Sequence, residues 1–179
     1  MEKSQKIIMT ASDIERSLSR IALQITERNR DVENLAIVGI HTGGVSLAGR
    51  INKFIQDREG HKIPTGSLDI TLYRDDWSLA SQSPVVKKTD VNFSVEGRNL
   101  VLVDDVLFTG RTIRAALDAI MDFGRPRSIQ LAVLIDRGGR ELPIQPDYVG
   151  LQVEVNSDQH VDVLLKDNQA DDEVILESD

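Results

Sequence analysis

Two neighbouring acids followed by a glycine-containing turn are the residues of this sequence best suited to chemistry. Asp104 and Asp105 come directly after four apolar residues, and the turn TGRT at 109–112 follows shortly after them. Glycine lets the backbone approach an anion closely, while hydroxyls and the unpaired N–H groups at the start of a helix donate hydrogen bonds to it. The turn therefore suits a terminal phosphate.

The two carboxylates need a different partner, because they repel a phosphate. Sugar hydroxyls donate hydrogen bonds to carboxylates, and Mg²⁺ takes carboxylate oxygens as ligands. A phosphate at the turn, together with hydroxyls at the acids, describes a phosphorylated sugar. The alternative is that the acids form a helix cap and a solvated side chain. A nucleoside-triphosphatase site is excluded, because the chain lacks the G-x-x-x-x-G-K-[ST] motif that it requires.

The elements around these residues alternate between apolar strands and amphipathic helices. Strands are predicted over three short apolar runs, at 35–40, 100–103 and 129–135, and over 68–73, where apolar and polar residues alternate as in a strand near a sheet edge. Helices are predicted at 13–28, after the glycines at 43–44, and after the turn at 109–112. Ser12 and Glu15 have the spacing of a capping box for the first helix. The alternation predicts an α/β protein with a parallel sheet, in which ligands bind beyond the carboxyl ends of the strands.

The remaining segments carry weaker patterns. Strand candidates at 148–153 and 161–165 either complete the sheet or form a small flap, and 174–176 is strand-like within an acidic end. The segment from 74 to about 96 has no clear periodicity and is predicted to be a long hairpin, a mobile loop or both. No internal repeat or linker is visible, so one domain over residues 1–179 is expected.

Composition narrows the classes of function. The chain has 179 residues, of which 40% are hydrophobic, so one packed domain is expected rather than disorder. The absence of cysteine excludes a disulfide scaffold, a thiolate metal site and a Cys nucleophile. A net charge of −8 disfavours a broadly cationic nucleic-acid binder. Without a membrane-length apolar run or a signal-peptide pattern, the expectation is a soluble cytoplasmic protein with no membrane partner.

The segment at 100–112 resembles the phosphoribosyl-pyrophosphate signature of type I phosphoribosyltransferases. Three further segments are similar to the bifunctional pyrimidine operon attenuation regulator and uracil phosphoribosyltransferase family: VGIHTGG at 38–44, LDITLYRDD at 68–76 and GRPRSIQLAVLIDRGGRELPI at 124–144. The resemblance extends from about residue 7 to residue 165. It implies a type I phosphoribosyltransferase fold, in which a central, mostly parallel sheet is flanked by helices. It also implies a long flexible loop and a small hood from the N-terminal and C-terminal segments.

The resemblance implies an activity as well. Family members join uracil to the ribosyl group of phosphoribosyl pyrophosphate, giving UMP and pyrophosphate, with Mg²⁺ as cofactor. Asp104 and Asp105 would be catalytic, would hold the ribose hydroxyls and would contact the metal directly or through the substrate. Arg74 is the third candidate catalytic residue, and it reaches a pyrophosphate oxygen unless it forms a surface salt bridge. The segment from 74 to 96 would close over the site and exclude water.

The resemblance assigns the other site residues to substrate binding. Thr42, Gly43 and Gly44 match the pyrophosphate loop, in which family members often have Arg at the position of Gly43. Asp136 and Arg137, with the backbone near Val161, match the uracil site, although an Asp–Arg ion pair at a strand end is the alternative. The turn around the 5′-phosphate comprises Val106, Leu107, Phe108, Thr109, Gly110, Arg111 and Thr112.

The family has a second role, which is to bind the leader of pyrimidine mRNA through a basic face in response to UMP. Members that bind RNA carry basic or His residues where this chain has Leu23, Gly139 and Gln145. Because RNA affinity depends on neutralised phosphates, the net charge favours catalysis over attenuation. Five arginines either form a basic cluster or are dispersed on solvated faces: Arg16, Arg20, Arg28, Arg30 and Arg140.

Two functions compete with uracil transfer. In the first, the chain is primarily an RNA-binding attenuator with secondary catalysis. In the second, it is a phosphoribosyltransferase that acts on purines. The signature at 100–112 says nothing about the base, so base competition assays are needed to separate these functions. The resemblance also implies a homodimer or a higher homo-oligomer, the commonest soluble assemblies being isologous dimers.

Overall fold

A parallel sheet of five strands forms the centre of the protein, whose computed structural model describes residues 4–74, 88–166 and 168–178. The strands are β1 (Ser4–Thr10), β2 (Leu35–Ile40), β3 (Thr65–Leu68), β4 (Asn99–Leu107), β5 (Ser128–Asp136), β6 (Tyr148–Gln152), β7 (Gln159–Leu164) and β8 (Glu173–Ser178). The helices are α1 (Ala11–Arg28), α2 (Gly43–Glu59) and α3 (Arg111–Met121). The central sheet has the order β3-β2-β4-β5-β6, and all its neighbouring strands run parallel. The predicted α/β class is therefore confirmed.

Helices cover both faces of this sheet, because its strands are apolar on both sides. Ile37, Val101 and Val103 pack with α1 and α2, whereas Val38 and Leu102 pack with α3. Successive residues of a strand point to opposite faces, which explains the division between the two clusters. Each fully buried side chain of this size contributes about 1.5–3 kcal/mol, so the central strands are held rigidly in place.

A second sheet of three antiparallel strands, here called the hood, has the order β1-β8-β7. It is therefore built from both ends of the described chain. Both alternatives for the C-terminal strands are realised, since β6 completes the central sheet and β7 joins the hood. An ion pair between Arg50 Nη1 and Asp172 Oδ2, 2.5 Å apart, ties the segment between β7 and β8 to α2.

The predicted cap of the first helix is wrong by two residues. Thr10 is the cap residue, and it exchanges hydrogen bonds with Asp13 in a complete capping box. Ser12 lies inside the helix instead. The reason is that β1 leads straight into α1, so the extended backbone that a cap residue needs occurs at Thr10. Among the described residues, no helix is both long and apolar enough to cross a membrane.

The strand predicted at 68–73 is also wrong. β3 ends at Leu68, and a 3-10 turn follows at Thr71–Tyr73. The carboxylate of Asp69 accepts a hydrogen bond from the N–H of Thr71, at 2.8 Å, which turns the chain out of the sheet. The predicted position at a sheet edge is nevertheless confirmed. Most of the predicted loop, residues 75–87, lies outside the described residues.

Candidate functional site

The acid pair lies inside β4, which continues past the predicted end of its strand as far as Leu107. Adjacent residues of a strand point to opposite sides, so the carboxylates of Asp104 and Asp105 face different surroundings. Asp104 is 6% exposed, whereas Asp105 is only partly buried. An Asp105 oxygen accepts the Val106 N–H at 2.8 Å, and an Asp104 oxygen accepts the Asp105 N–H at 2.9 Å.

The two acids also differ in electrostatics. Burial, and then the neighbouring charge of Asp105, raises the pKa of the Asp104 carboxyl well above its ordinary value. Within the described part of the chain, no cation forms an ion pair with either acid. Asp104 therefore suits a hydrogen bond to a hydroxyl, and Asp105 suits a ligand that brings positive charge or donors.

The start of α2 packs directly against this acid pair. A Cβ atom on Gly43 would overlap the carboxylate of Asp105, and a Cβ on Gly44 would overlap the carbonyl of Val103. Only glycine allows this close approach between the helix and β4. The cap residue, Thr42, makes no side-chain hydrogen bond to the helix start among the described residues. The first N–H groups of α2 thus point to the carboxyl edge of the sheet without a side-chain cap, next to Asp105.

The start of α3 has the same character. Gly110 is its cap residue and has a φ of +93°, a left-handed conformation that favours glycine. As a glycine, the cap residue makes no side-chain hydrogen bond to the helix, and the Thr109 hydroxyl accepts the N–H of Arg111 at 3.2 Å. N–H groups and the positive end of the helix dipole attract an anion here.

The segment after β5 braces this turn, which the sequence did not reveal. The N–H groups of Glu141 and Leu142 both donate to the carbonyl of Thr109, at 2.9 and 3.1 Å. The N–H of Arg137 donates to the carbonyl of Leu107 at 3.0 Å. These bonds join backbone atoms about thirty residues apart, so no local pattern of residue types predicts them. The turn at 109–112 is therefore held from outside as well as by its own strand and helix.

Asp136 forms an ion pair, but not with the neighbour considered in the sequence. Its partner is Arg140, whose Nη2 lies 2.7 Å from an Asp136 oxygen. Burial raises the pKa of Asp136, but the hydrogen bonds from Arg140 and from the Gly138 N–H outweigh it, so the pKa lies below its ordinary value. Arg140 also donates to the carbonyl of Phe108 at 3.0 Å. The alternative of an Asp136–Arg137 ion pair is thus wrong.

Arg137 instead joins three parts of the site. Its guanidinium lies 4.0 Å from the centre of the Phe108 ring. Its Nη2 donates to the carbonyl of Gln159 in β7, 3.2 Å away and two residues before Val161. Its Nε is buried and has no hydrogen-bond partner among the described residues. The turn at 106–112, the end of β5 and the hood therefore meet at this side chain.

The structure brings most of the predicted residues to one edge, where β2, β4 and β5 end. Val161 lies in β7 of the hood instead. Arg74 lies exposed at the border of the undescribed residues 75–87, so its role stays a prediction. Closure of that segment over the site falls outside the described residues. His41 lies nearby, with its Nε2 3.1 Å from the carbonyl of Lys88. The described residues contain no group of three or more His, Cys, Asp or Glu side chains able to hold a metal.

Three of the five arginines of the candidate basic cluster are engaged in contacts with other segments. Arg20 donates to the carbonyl of Gly150 at 2.6 Å, and Arg28 pairs with Asp147 at 2.6 Å. Arg140 is only 15% exposed in its ion pair. These contacts favour the interpretation of dispersed arginines.

Comparisons with known proteins agree with this geometry. A model of the phosphoribosyl transferase domain matches residues 4–168. The Bifunctional protein PyrR of Syntrophobacter fumaroxidans is 50% identical over 177 residues, which cover 99% of this chain and 95% of the relative. That of Pelotomaculum thermopropionicum is 55% identical over 175 residues, covering 98% and 96%. The hypoxanthine phosphoribosyltransferase of Trypanosoma cruzi has a TM-score of 0.72 at 19% identity, covering 97% of each chain, which is a likeness of fold.

Proposed function

The chain belongs to the phosphoribosyltransferase family, within it to the bifunctional PyrR proteins, and from this membership we propose that it is a uracil phosphoribosyltransferase. In this reaction the bond between C1 of the ribose and pyrophosphate breaks, and N1 of uracil, losing its proton, bonds to C1. One observation carries the proposal: two helix starts whose cap residues make no side-chain hydrogen bond to the helix lie with Asp105 at one edge of the sheet. Phosphoribosyl pyrophosphate has the matching order of groups, with phosphates on both sides of its hydroxyls.

The start of α3 binds the 5′-phosphate in this proposal. The first N–H groups of the helix and the hydroxyls of Thr109 and Thr112 donate hydrogen bonds to the phosphate oxygens. Hydrogen bonds to a charged acceptor contribute about 1.5–3 kcal/mol each. Val106, Leu107 and Phe108 lead into the turn, and Gly110 gives it the conformation that lets the backbone approach the anion.

The start of α2 binds the pyrophosphate group, through the N–H groups that follow Thr42. Asp105 lies beside it, and a partly exposed carboxylate together with substrate phosphates is a ligand set that Mg²⁺ prefers. When bound, Mg²⁺ neutralises the charge of the departing pyrophosphate. Gly43 leaves room for Asp105, and the absence of Arg at this position leaves backbone donors as the anion contacts of α2.

The acids hold the ribose between the two phosphates. Asp105 accepts a hydrogen bond from a ribose hydroxyl, and its negative charge stabilises the positive charge that develops on the sugar as pyrophosphate leaves. Asp104, whose pKa is raised by its burial, contributes a further hydrogen bond to the ribose. Positioning and electrostatics are sufficient for this reaction, which needs no covalent nucleophile from the protein.

Uracil lies between the end of β5 and the hood in this proposal. Arg137 extends from β5 to β7, and its buried Nε needs a partner. The backbone near Val161 supplies further polar groups, since alternate strand residues of β7 are half-buried. Asp136 keeps the local backbone in place through Gly138 and Arg140.

The proposed reaction is tested by measuring nucleotide formation from phosphoribosyl pyrophosphate and Mg²⁺ with uracil, hypoxanthine or guanine. We expect UMP from uracil and no purine nucleotide. Formation of a purine nucleotide instead of UMP would support the purine alternative and reject the proposal. No product with any base would reject phosphoribosyl transfer as the function of this chain.

A second function is supported by the description of the relatives as bifunctional. We propose that UMP-dependent binding of a pyrimidine mRNA leader is that function, in an oligomer of this chain. The test is a titration of leader RNA and a scrambled RNA, with and without UMP, at two salt concentrations. Tight, UMP-enhanced and salt-sensitive binding of the leader alone is expected. Equal binding of both RNAs would reject it.

A further inference from the structure

An ion pair lies on the outer side of the phosphate turn. Arg111 is the first residue of α3, and its Nε lies 2.6 Å from an oxygen of Glu141. The two side chains are 48% and 51% exposed. We propose that Glu141 is a positioning residue which lowers the affinity of the turn for the 5′-phosphate, by holding and partly neutralising Arg111. This inference rests on the proposed function, in which residues 109–112 bind that phosphate.

The backbone holds Glu141 in place for this role. Most exposed ion pairs contribute little, because two flexible side chains must be ordered to form them. Here the N–H groups of Glu141 and Leu142 are both bonded to the carbonyl of Thr109. Gly110 packs closely against Leu142, since a Cβ atom at this position would lie 3.4 Å from the Cβ of Leu142. Glu141 is thereby attached to the same turn that carries Arg111.

The charges determine the direction of the effect. A phosphate at the start of α3 lies within a few ångströms of the Arg111 backbone, well inside the ~10 Å over which charges act at 0.1 M salt. A guanidinium paired with a carboxylate attracts that phosphate less than an unpaired one. UMP carries the same 5′-phosphate as the substrate, so weaker attraction speeds the release of product, a step that often limits turnover.

The test is the binding of ribose 5-phosphate, measured by calorimetry without any catalytic step. Glu141→Gln is expected to lower the Kd about threefold at low salt, as for the charge of one half-exposed residue, with a smaller difference at high salt. Asp118→Asn is the matched control, since Asp118 pairs with Arg114 on the same helix at 3.8 Å and at similar exposure. An unchanged or higher Kd for Glu141→Gln would overturn the inference, because a merely structural role weakens binding.

A second variant separates charge from structure. In the background of Arg111→Gln, the Glu141→Gln change is expected to leave the Kd unaltered, and a persistent threefold effect would overturn the inference. Failure of the proposed function can be distinguished from failure of this inference. If the protein binds ribose 5-phosphate but forms no UMP, the proposed function is contradicted, and the role of Glu141 can still be tested by binding. A chain that does not bind ribose 5-phosphate contradicts both.

Discussion

The start of α1 differs from the starts of α2 and α3 in whether the side chain of the cap residue accepts a hydrogen bond from the helix backbone. At α1, the Thr10 hydroxyl and the Asp13 carboxylate close a capping box, so side chains accept the N–H groups of Asp13 and Thr10. At α2 and α3, the cap residues Thr42 and Gly110 form no such side-chain bond in the described part of the protein. A cap contributes about 0.5–2 kcal/mol, so two helices forgo that stabilisation.

The location of the three helix starts explains the difference. α2 and α3 follow strands of the central sheet and begin at its carboxyl edge, whereas α1 follows a strand of the hood. Ligands of parallel sheets bind at that edge. In the proposed function, the donors at the starts of α2 and α3 bind the ligand, whereas the capping box of α1 stabilises the fold. Changes at the edge should therefore alter activity more than stability, and changes at the capped start should do the reverse.

The largest expected effect is that of Asp105→Asn. Loss of the carboxylate that stabilises the developing positive charge is expected to lower kcat by about 10²–10³-fold. The thermal midpoint should change little, because Asp105 is partly exposed and an amide oxygen can still accept the Val106 N–H. Steady-state UMP formation and thermal unfolding measure the two quantities. A variant with native kcat would contradict the role of Asp105.

The next largest effect on activity is expected at Gly43 in α2, with Gly49 of the same helix as the control. In Gly43→Ala the new methyl group overlaps the carboxylate of Asp105, and the displacement is expected to lower kcat about tenfold. Gly49→Ala is the control, since nothing lies within 4 Å of its Cβ position. There alanine favours the helix by up to about 1 kcal/mol, so the control should be more stable and fully active. Equal activity of the two variants would refute the contact as a functional one.

A smaller effect is expected at the start of α3. Alanine at Gly110 must adopt a φ near +93°, which costs about 1–2 kcal/mol and loosens the turn. We expect the KM for phosphoribosyl pyrophosphate to rise about three- to tenfold. Gly60→Ala, at a φ of +66° after α2, should lose similar stability in urea unfolding without a change in KM. A matching rise in KM for the control would show that lost stability alone explains the effect.

At the capped start of α1, we expect a change in stability and no change in activity. Thr10→Ala should lower the thermal midpoint by about 2–4 °C and leave kcat and KM unchanged. The N–H of Thr10, and then its hydroxyl, lower the pKa of Asp13 below 3.8. This bond therefore stabilises the fold above pH 3.8, and the stabilisation is lost as the pH falls through the lowered pKa. Urea unfolding between pH 6 and 2 should show a weaker acid dependence in the variant, and an altered KM would contradict the comparison.

The sequence was sufficient for the three inner strands of the central sheet, β2, β4 and β5, and for the residues that follow them. The unbroken apolar run at Leu35–Ile40 predicts β2 with its observed bounds, because a strand buried on both faces needs such a run. The alternation of strands and helices then requires parallel pairing, and it places Asp104, Asp105 and the turn at 109–112 at the carboxyl edge. These predictions depend on local patterns, which a single sequence contains.

Contacts between distant segments could not be predicted from the sequence. The bonds from Glu141 and Leu142 to Thr109, and the pairing of Asp136 with Arg140, depend on where the loop after β5 folds back. The strand expected at 68–73 failed for a related reason, since one hydrogen bond from Thr71 to Asp69 outweighs an alternating pattern. Backbone bonds and short side-chain turns of this kind leave no periodicity in the residue types.

Amide chemical shifts during a titration with phosphoribosyl pyrophosphate, in the absence of uracil, test the central comparison most directly. Isotope-labelled protein would be followed residue by residue at the three helix starts. We expect large shifts for the amides at 43–44 and 112–113, and none at 11–13, because the two phosphate groups bind at the starts of α2 and α3 and not at the start of α1. Unchanged amides at α2 and α3, or shifts confined to α1, would contradict the account.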